Sequence, residues 1–209
     1  AALHNLKKGE VKDRLKPSFY GVGVVGEAFV KNDTMYNTWM CMLNRCYGAA
    51  HLKENSAYKD CSVSDNFKYY PYFKEWCENQ IGFNVLDDKG KTFALDKDIL
   101  VKGNKVYSED TCCFVPQEIN SLQFSKQRKE SNLPKGVSYD ARTNKYAAQI
   151  GGKGKLKTFI GRYTTSEEAF LAYKEAKEDY IKQVANKWKD KIDPRVYDAL
   201  MSWEINIDD

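Results

Sequence analysis

The chain has 209 residues, 42% of them hydrophobic and 13% aromatic, enough for one large domain or two small ones with an aromatic-rich core. No apolar run approaches the roughly 18–20 residues that cross a bilayer. The start, Ala1-Ala2-Leu3-His4 leading into Lys7-Lys8 and Glu10, has no signal-peptide pattern, so a cytoplasmic protein without a membrane partner is expected. The net charge of +4 is modest, but it is unevenly spread: Leu133 to Tyr163 holds seven basic residues against one acid, Asp140. A positive field that concentrated suits a phosphate-backbone partner, with an ordinary solvated lysine-rich face as the alternative. Six cysteines, Cys41, Cys46, Cys61, Cys77, Cys112 and Cys113, form no C-x-x-C pair. Free thiols are expected, and a structural zinc site is not.

Residues 1–16 are polar and charged and read as an arm. Phe19 to Gly26 reads as a strand or hairpin punctuated by glycine; its G-x-G lacks what a phosphate loop needs. Asp33-Thr34 can cap a helix over Met35–Tyr47, with Met35, Trp39, Met42, Leu43 and Cys46 at helical spacing. Residues 48–66 read as irregular. A second helix is expected over Phe67–Gln80, with Tyr69, Tyr72, Phe73 and Trp76 on one core-facing side. Gly82–Gly90 is a loop, Thr92–Ile99 an apolar run ending in charge, and Gly103-Asn104-Lys105 a turn before a return strand at Val106-Tyr107. Cys112–Val115 follows, and Pro116 can open a short helix to about Phe124.

Residues 125–135 are polar, basic and nearly free of apolar side chains, which makes them the expected linker. Beyond them the pattern predicts strands at Gly136–Asp140, Lys145–Ile150 and Lys157–Tyr163. Turns at Arg142-Thr143-Asn144 and Gly151–Lys155 separate them. A helix follows, opened by a capping box of Thr165 and Glu168. Its stripe is expected to be Ala169, Leu171, Ala172, Tyr173, Ala176, Tyr180 and Val184. Alternation assigns Val137, Ala147, Ile150 and Ile160 to the helix side. Ser138, Arg142, Tyr146, Ala148, Lys157, Phe159 and Arg162 are assigned to the open side or its turns. Such a sheet can enter a major groove, where Arg and Lys donate to guanine.

Gly136-Val137, Lys145-Tyr146, Ala148, Ile150, Lys157, Gly161, Tyr163, Thr165, Glu167-Glu168-Ala169 and Ala172-Tyr173 together resemble the ethylene-response-factor (Apetala) type DNA-binding domain. The resemblance covers about 55–60 residues and implies a three-stranded antiparallel sheet packed on one helix. It also implies double-stranded DNA as partner. By position it implies contacts from Ser138, Lys145, Tyr146, Gln149, Lys157, Phe159 and Arg162. Ser138 stands where that family often has Arg, and Tyr146 and Phe159 where it often has Trp, so base specificity does not carry over.

The upstream motifs are Tyr36, Trp39, Met42, Arg45-Cys46-Tyr47, Phe73, Trp76, Leu95-Asp96-Lys97-Asp98, Gly103-Asn104-Lys105, Tyr107-Ser108, Thr111-Cys112 and Asn120. Their order resembles phage-borne HNH-type homing endonuclease-like proteins. The implied fold class is α+β: an HNH-like ββα-metal module at 1–124 with flanking helices, the linker, the reader at 136–192 and an extension at 193–209. By position Asp96 and Asn120 match that family's metal ligands for Mg2+ or Mn2+, and Asp98 can supply a second carboxylate. Lys97 stands at the general-base histidine, and a lysine with an ordinary pKa near 10.4 is a poor base. The chain's histidines, His4 and His51, lie outside the expected hairpin. Three expectations stay open: a metal-dependent DNA endonuclease, an inactive HNH scaffold that binds DNA, and a phage factor that binds and blocks a host protein. For Asp96 and Asp98 the purely structural alternative is a charged hairpin end closing on Lys97 or Lys105.

Overall fold

Tyr36, Trp39, Met42, Leu43 and Cys46 recur at helical spacing, and they form the buried side of α1, Thr34–Tyr47. The computed structural model describes residues 14–27, 34–122, 132–151 and 158–208. The expected cap Asp33, His4, Lys157 and most of the expected linker fall outside them. Two compact units divide the chain: Ala1–Pro116 with Lys191–Asp193, and Gln117–Asp190 with Pro194–Asp209. Both mix helix and strand, so the chain is α+β.

In the first unit, Phe19–Gly23 is a tight turn, with Tyr20 and Gly21 at positive φ and the Phe19 carbonyl accepting from the Gly23 amide at 2.8 Å. The stretch 48–66 is more ordered than its polarity suggests. It contains α2, Ala49–Glu54, a 3-10 turn at Ser56–Tyr58 and β1, Ser62–Val63. The single helix expected over Phe67–Gln80 is two: α3, Asp65–Lys68, capped by Ser64, and α4, Tyr70–Glu78. Pro71 explains the break. It has no N–H for the carbonyl of Phe67 four residues back, and Trp39 Nε1 donates to that carbonyl instead, at 2.7 Å. Tyr69, left extended between the helices, lies beside Val24: the Val24 amide donates to Lys68 and the Tyr70 amide to Val24. Phe73 is fully buried, whereas Tyr69 and Tyr72 face outward, contrary to the expected aromatic core face.

The strands β2, Ala94–Asp96, and β4, Cys113–Val115, pair antiparallel. Between them β3, Val106–Tyr107, does not return along β2; it pairs parallel with β1. The helix after β4, α5 (Gln117–Asn120), is a single turn that groups with the second unit. What is established here is an antiparallel pair followed by one turn of helix, a coarser arrangement than a ββα-metal module.

In the second unit β5 (Val137–Asp140), β6 (Lys145–Ile150) and β7 (Thr158–Tyr163) form an antiparallel sheet in that order, packed on α6, Ser166–Trp188. The capping box is present. The Glu168 amide donates to Thr165 Oγ1 at 3.2 Å, and Glu168 Oε2 accepts from the amides of Thr164 and Thr165. The buried stripe is Ala169, Phe170, Tyr173, Lys177, Ile181, Val184, Ala185 and Trp188. It differs from the expected one: Leu171 and Tyr180 are exposed, because the spacing that satisfies both the sheet and the C-terminal segment runs through Phe170 and Ile181. Lys177 snorkels along this stripe to give its ammonium to the Leu122 carbonyl at 2.8 Å. Glu118 on α5 accepts from Lys187 and from the indole of Trp188. The extension packs back on α6. Val196 and Leu200 of α7, Pro194–Met201, are buried, as are Trp203 and Ile205, and Glu178 accepts from the Ile205 amide at 2.8 Å. Among the described residues no helix is long and apolar enough to cross a membrane.

Candidate nucleic-acid interface

The cross-strand register decides which side chains share a face. Ala148 has no exposed surface and pairs with Val137 and Gly161 on the face that α6 covers. Small residues here let the helix approach closely: a Cβ on Gly136, already at φ +79°, would sit about 2 Å from the Tyr173 ring. Tyr146, level with Tyr139 and Tyr163, lies on this same side, its ring 5.4 Å from that of Tyr139. Ala148 and Tyr146 therefore exchange sides with Ala147 relative to the sequence-based assignment.

The face away from α6 carries Ser138 and Asp140 from β5, Lys145, Ala147 and Gln149 from β6, and Phe159 and Arg162 from β7. Phe159 and Arg162 are three residues apart, which on a regular strand means opposite sides. A β-bulge removes the conflict: Gly161 pairs with Ala148 and Phe159 with Gln149, which leaves Ile160 unpaired and puts Phe159 and Arg162 together on the open face. Thus Ser138, Lys145, Gln149, Phe159 and Arg162 share one surface. Arg142 is exposed in the adjoining turn, Tyr146 is on the helix side, and Lys157 is outside the described residues.

Lys145 and Phe159 are exposed, the latter by 54%. The Arg162 guanidinium lies 5.0 Å over the Phe159 ring, and its Nε donates to Asp140 Oδ2 at 3.0 Å. That bond holds the Asp140 carboxyl below the usual carboxylate range. Asp140 Oδ1 accepts from the Arg142 amide, while Gln149 donates to the Ser138 hydroxyl at 3.4 Å. Asp140 and Ala147 were not among the sequence-derived site residues. Asp140 was legible only as the one acid in a basic stretch, and Ala147 only through the register.

The upstream candidates are arranged differently. Asp96 Oδ1 accepts from the backbone amides of Asp98 at 2.8 Å and Ile99 at 3.0 Å, and burial pushes its carboxyl pKa up. Lys97 is 4% exposed; its ammonium donates to the Asp98 carboxylate and to the Asn104 carbonyl. Asn120 is exposed on α5, in the second unit. His51 lies on α2 with its ring 5.5 Å from that of Tyr58. Asp96, Lys97 and Asp98 thus close the loop that follows β2. Among the described residues no group of three or more His, Cys, Asp or Glu side chains is placed to hold a metal ion. Compared with protein-family models, curated proteins and solved structures, the chain matches none.

Proposed function

We propose that the chain binds double-stranded DNA through the open face of the β5–β6–β7 sheet. It acts as a DNA-binding protein of the HNH homing endonuclease-like kind, with an ethylene-response-factor type reader. The observation that carries this is the co-facial set Ser138, Lys145, Gln149, Phe159 and Arg162, with Arg142 beside it. Strands about 4.8 Å apart make a three-stranded face roughly 10 Å across, a width that the major groove of about 12 Å admits. Lys145, Arg142 and Arg162 supply cations for phosphate or guanine acceptors. Gln149 offers a paired donor and acceptor for an adenine edge, and Phe159 an apolar contact.

The loop chemistry around Lys97 favours the non-hydrolytic form of this reading, because an ammonium already bound to a carboxylate and a carbonyl is not a free base. Gel retardation of plasmid and linear duplex with Mg2+, with Mn2+ and with EDTA tests both parts. Retardation in all three without nicking is expected. Metal-dependent nicking restores the endonuclease reading, and no retardation in any of them removes DNA binding.

A further inference from the structure

We infer that Asp140, through Arg162, makes one position of the open face a reader of guanine rather than a phosphate clamp. This rests on the DNA-binding reading above. Arg162 pairs with Ala147, which pairs in turn with Ser138, and Asp140 lies on the same face two residues along β5, opposite Lys145; the short side chain of Ala147 leaves Arg162 a diagonal path over β6. The Arg162 side chain can therefore lie across the central strand and reach Asp140, and its Nε does so at 3.0 Å. Asp140 is itself fixed, its other oxygen holding the Arg142 amide at 3.1 Å. The Phe159 ring supports the guanidinium from a second side at 5.0 Å.

An arginine has five N–H donors in a planar fork. With Nε given to Asp140, the two Nη groups remain as a paired edge, and the side chain keeps 40% of its surface exposed. Guanine presents N7 and O6 side by side in the major groove, the acceptor pair such an edge fits. A phosphate presents similar acceptors, but a carboxylate beside the cation opposes it. Asp140 cancels much of the charge that Arg162 would bring to a backbone contact, so the pair weakens non-specific attraction while fixing geometry. The cost is borne in affinity for any DNA, and the gain is in discrimination. Asp140 is a positioning residue; Arg162 makes the contact.

The test uses the full chain. A random-sequence duplex pool is selected on the wild-type protein, and each selected guanine is then replaced by 7-deazaguanine, which lacks N7. The wild-type protein should lose about tenfold or more in affinity at one of these positions. Asp140→Asn and Arg162→Lys should each reduce that loss to about twofold or less. Asp140→Asn should bind unselected duplex as tightly as wild type or more so, since it removes a negative charge. Three results overturn the inference: selection without any guanine preference, Asp140→Asn keeping the full N7 discrimination, or Asp140→Asn losing affinity equally for selected and unselected DNA. Arg162→Ala weakening both DNAs alike with no N7 effect places Arg162 on phosphate and also overturns it. A wild-type chain that retards no duplex at all contradicts the DNA-binding reading itself, and this inference with it.

Discussion

Lys97 and Asn104 are bonded reciprocally: the Lys97 ammonium donates to the Asn104 carbonyl at 2.9 Å, and the Asn104 amide donates to the Lys97 carbonyl at 2.8 Å. Asn104 also donates to the Val106 carbonyl and accepts from the Val106 amide, so one side chain ties the loop to β3. This makes Lys97 a fastening of the fold. Asn104→Ala removes three hydrogen bonds, and Lys97→Met takes the ammonium from the part-buried Asn104 carbonyl. Each should destabilise the protein by about 1–3 kcal/mol, read as a lower denaturant midpoint, with duplex affinity unchanged under native conditions. Normal stability combined with altered DNA chemistry in Lys97→Met would return the residue to the catalytic reading.

The contact between Trp39 and Phe67 gives a second prediction. The indole serves the carbonyl that Pro71 cannot, and both residues are fully buried. Trp39→Phe keeps the aromatic packing but leaves that carbonyl unpaired. A loss of about 2 kcal/mol or more is expected in chemical unfolding. A variant as stable as wild type contradicts this account of the α3–α4 break.

Asp96 predicts a pH dependence of definite sign. Burial raises its folded pKa above the unfolded value, so between the two the folded state holds the extra proton. Its contribution to stability is present below the unfolded pKa and is lost as pH rises through the folded one. Asn in its place accepts from the Asp98 and Ile99 amides without a buried charge. Asp96→Asn should therefore gain stability relative to wild type as pH rises from about 3 to 7. Unfolding curves across that range check it, and a variant that becomes relatively less stable with rising pH contradicts it.

Asp140 behaves in the opposite sense. Its folded pKa is depressed, chiefly by the Arg162 hydrogen bond, so the stabilisation from the pair is present above the unfolded carboxylate pKa and lost as pH falls through the depressed value. In Arg162→Ala the Asp140 carboxyl should titrate at higher pH than in wild type. A side-chain carboxyl NMR titration reads this directly, and an unmoved Asp140 means the pair does not hold in solution.

The three reader strands and the Thr165–Glu168 capping box were legible because their signals are local: alternation, turn residues and a four-residue cap. The faces were less so. Ala147 and Ala148 are chemically identical, and only the bulge at Ile160, which depends on pairing with β6, decides that Phe159 and Arg162 point the same way. Pro71 lies inside the single helix expected over Phe67–Gln80, and the break there is completed by Trp39, 28 positions away from the carbonyl it serves. The charges at Asp96, Lys97 and Asp98 looked equally suited to chemistry or to loop closure. Their backbone partners, invisible in sequence, favour closure.

One pair of substitutions tests most directly which surface meets the duplex. Ala147→Glu adds a carboxylate to the middle of the open face, and Leu171→Glu adds the same charge at a 62% exposed site on α6. Duplex affinity of both full-length variants is compared at one salt concentration. Ala147→Glu should weaken binding about tenfold or more and Leu171→Glu about twofold or less. Equal losses in the two, or an unaffected Ala147→Glu, would contradict DNA binding by this face.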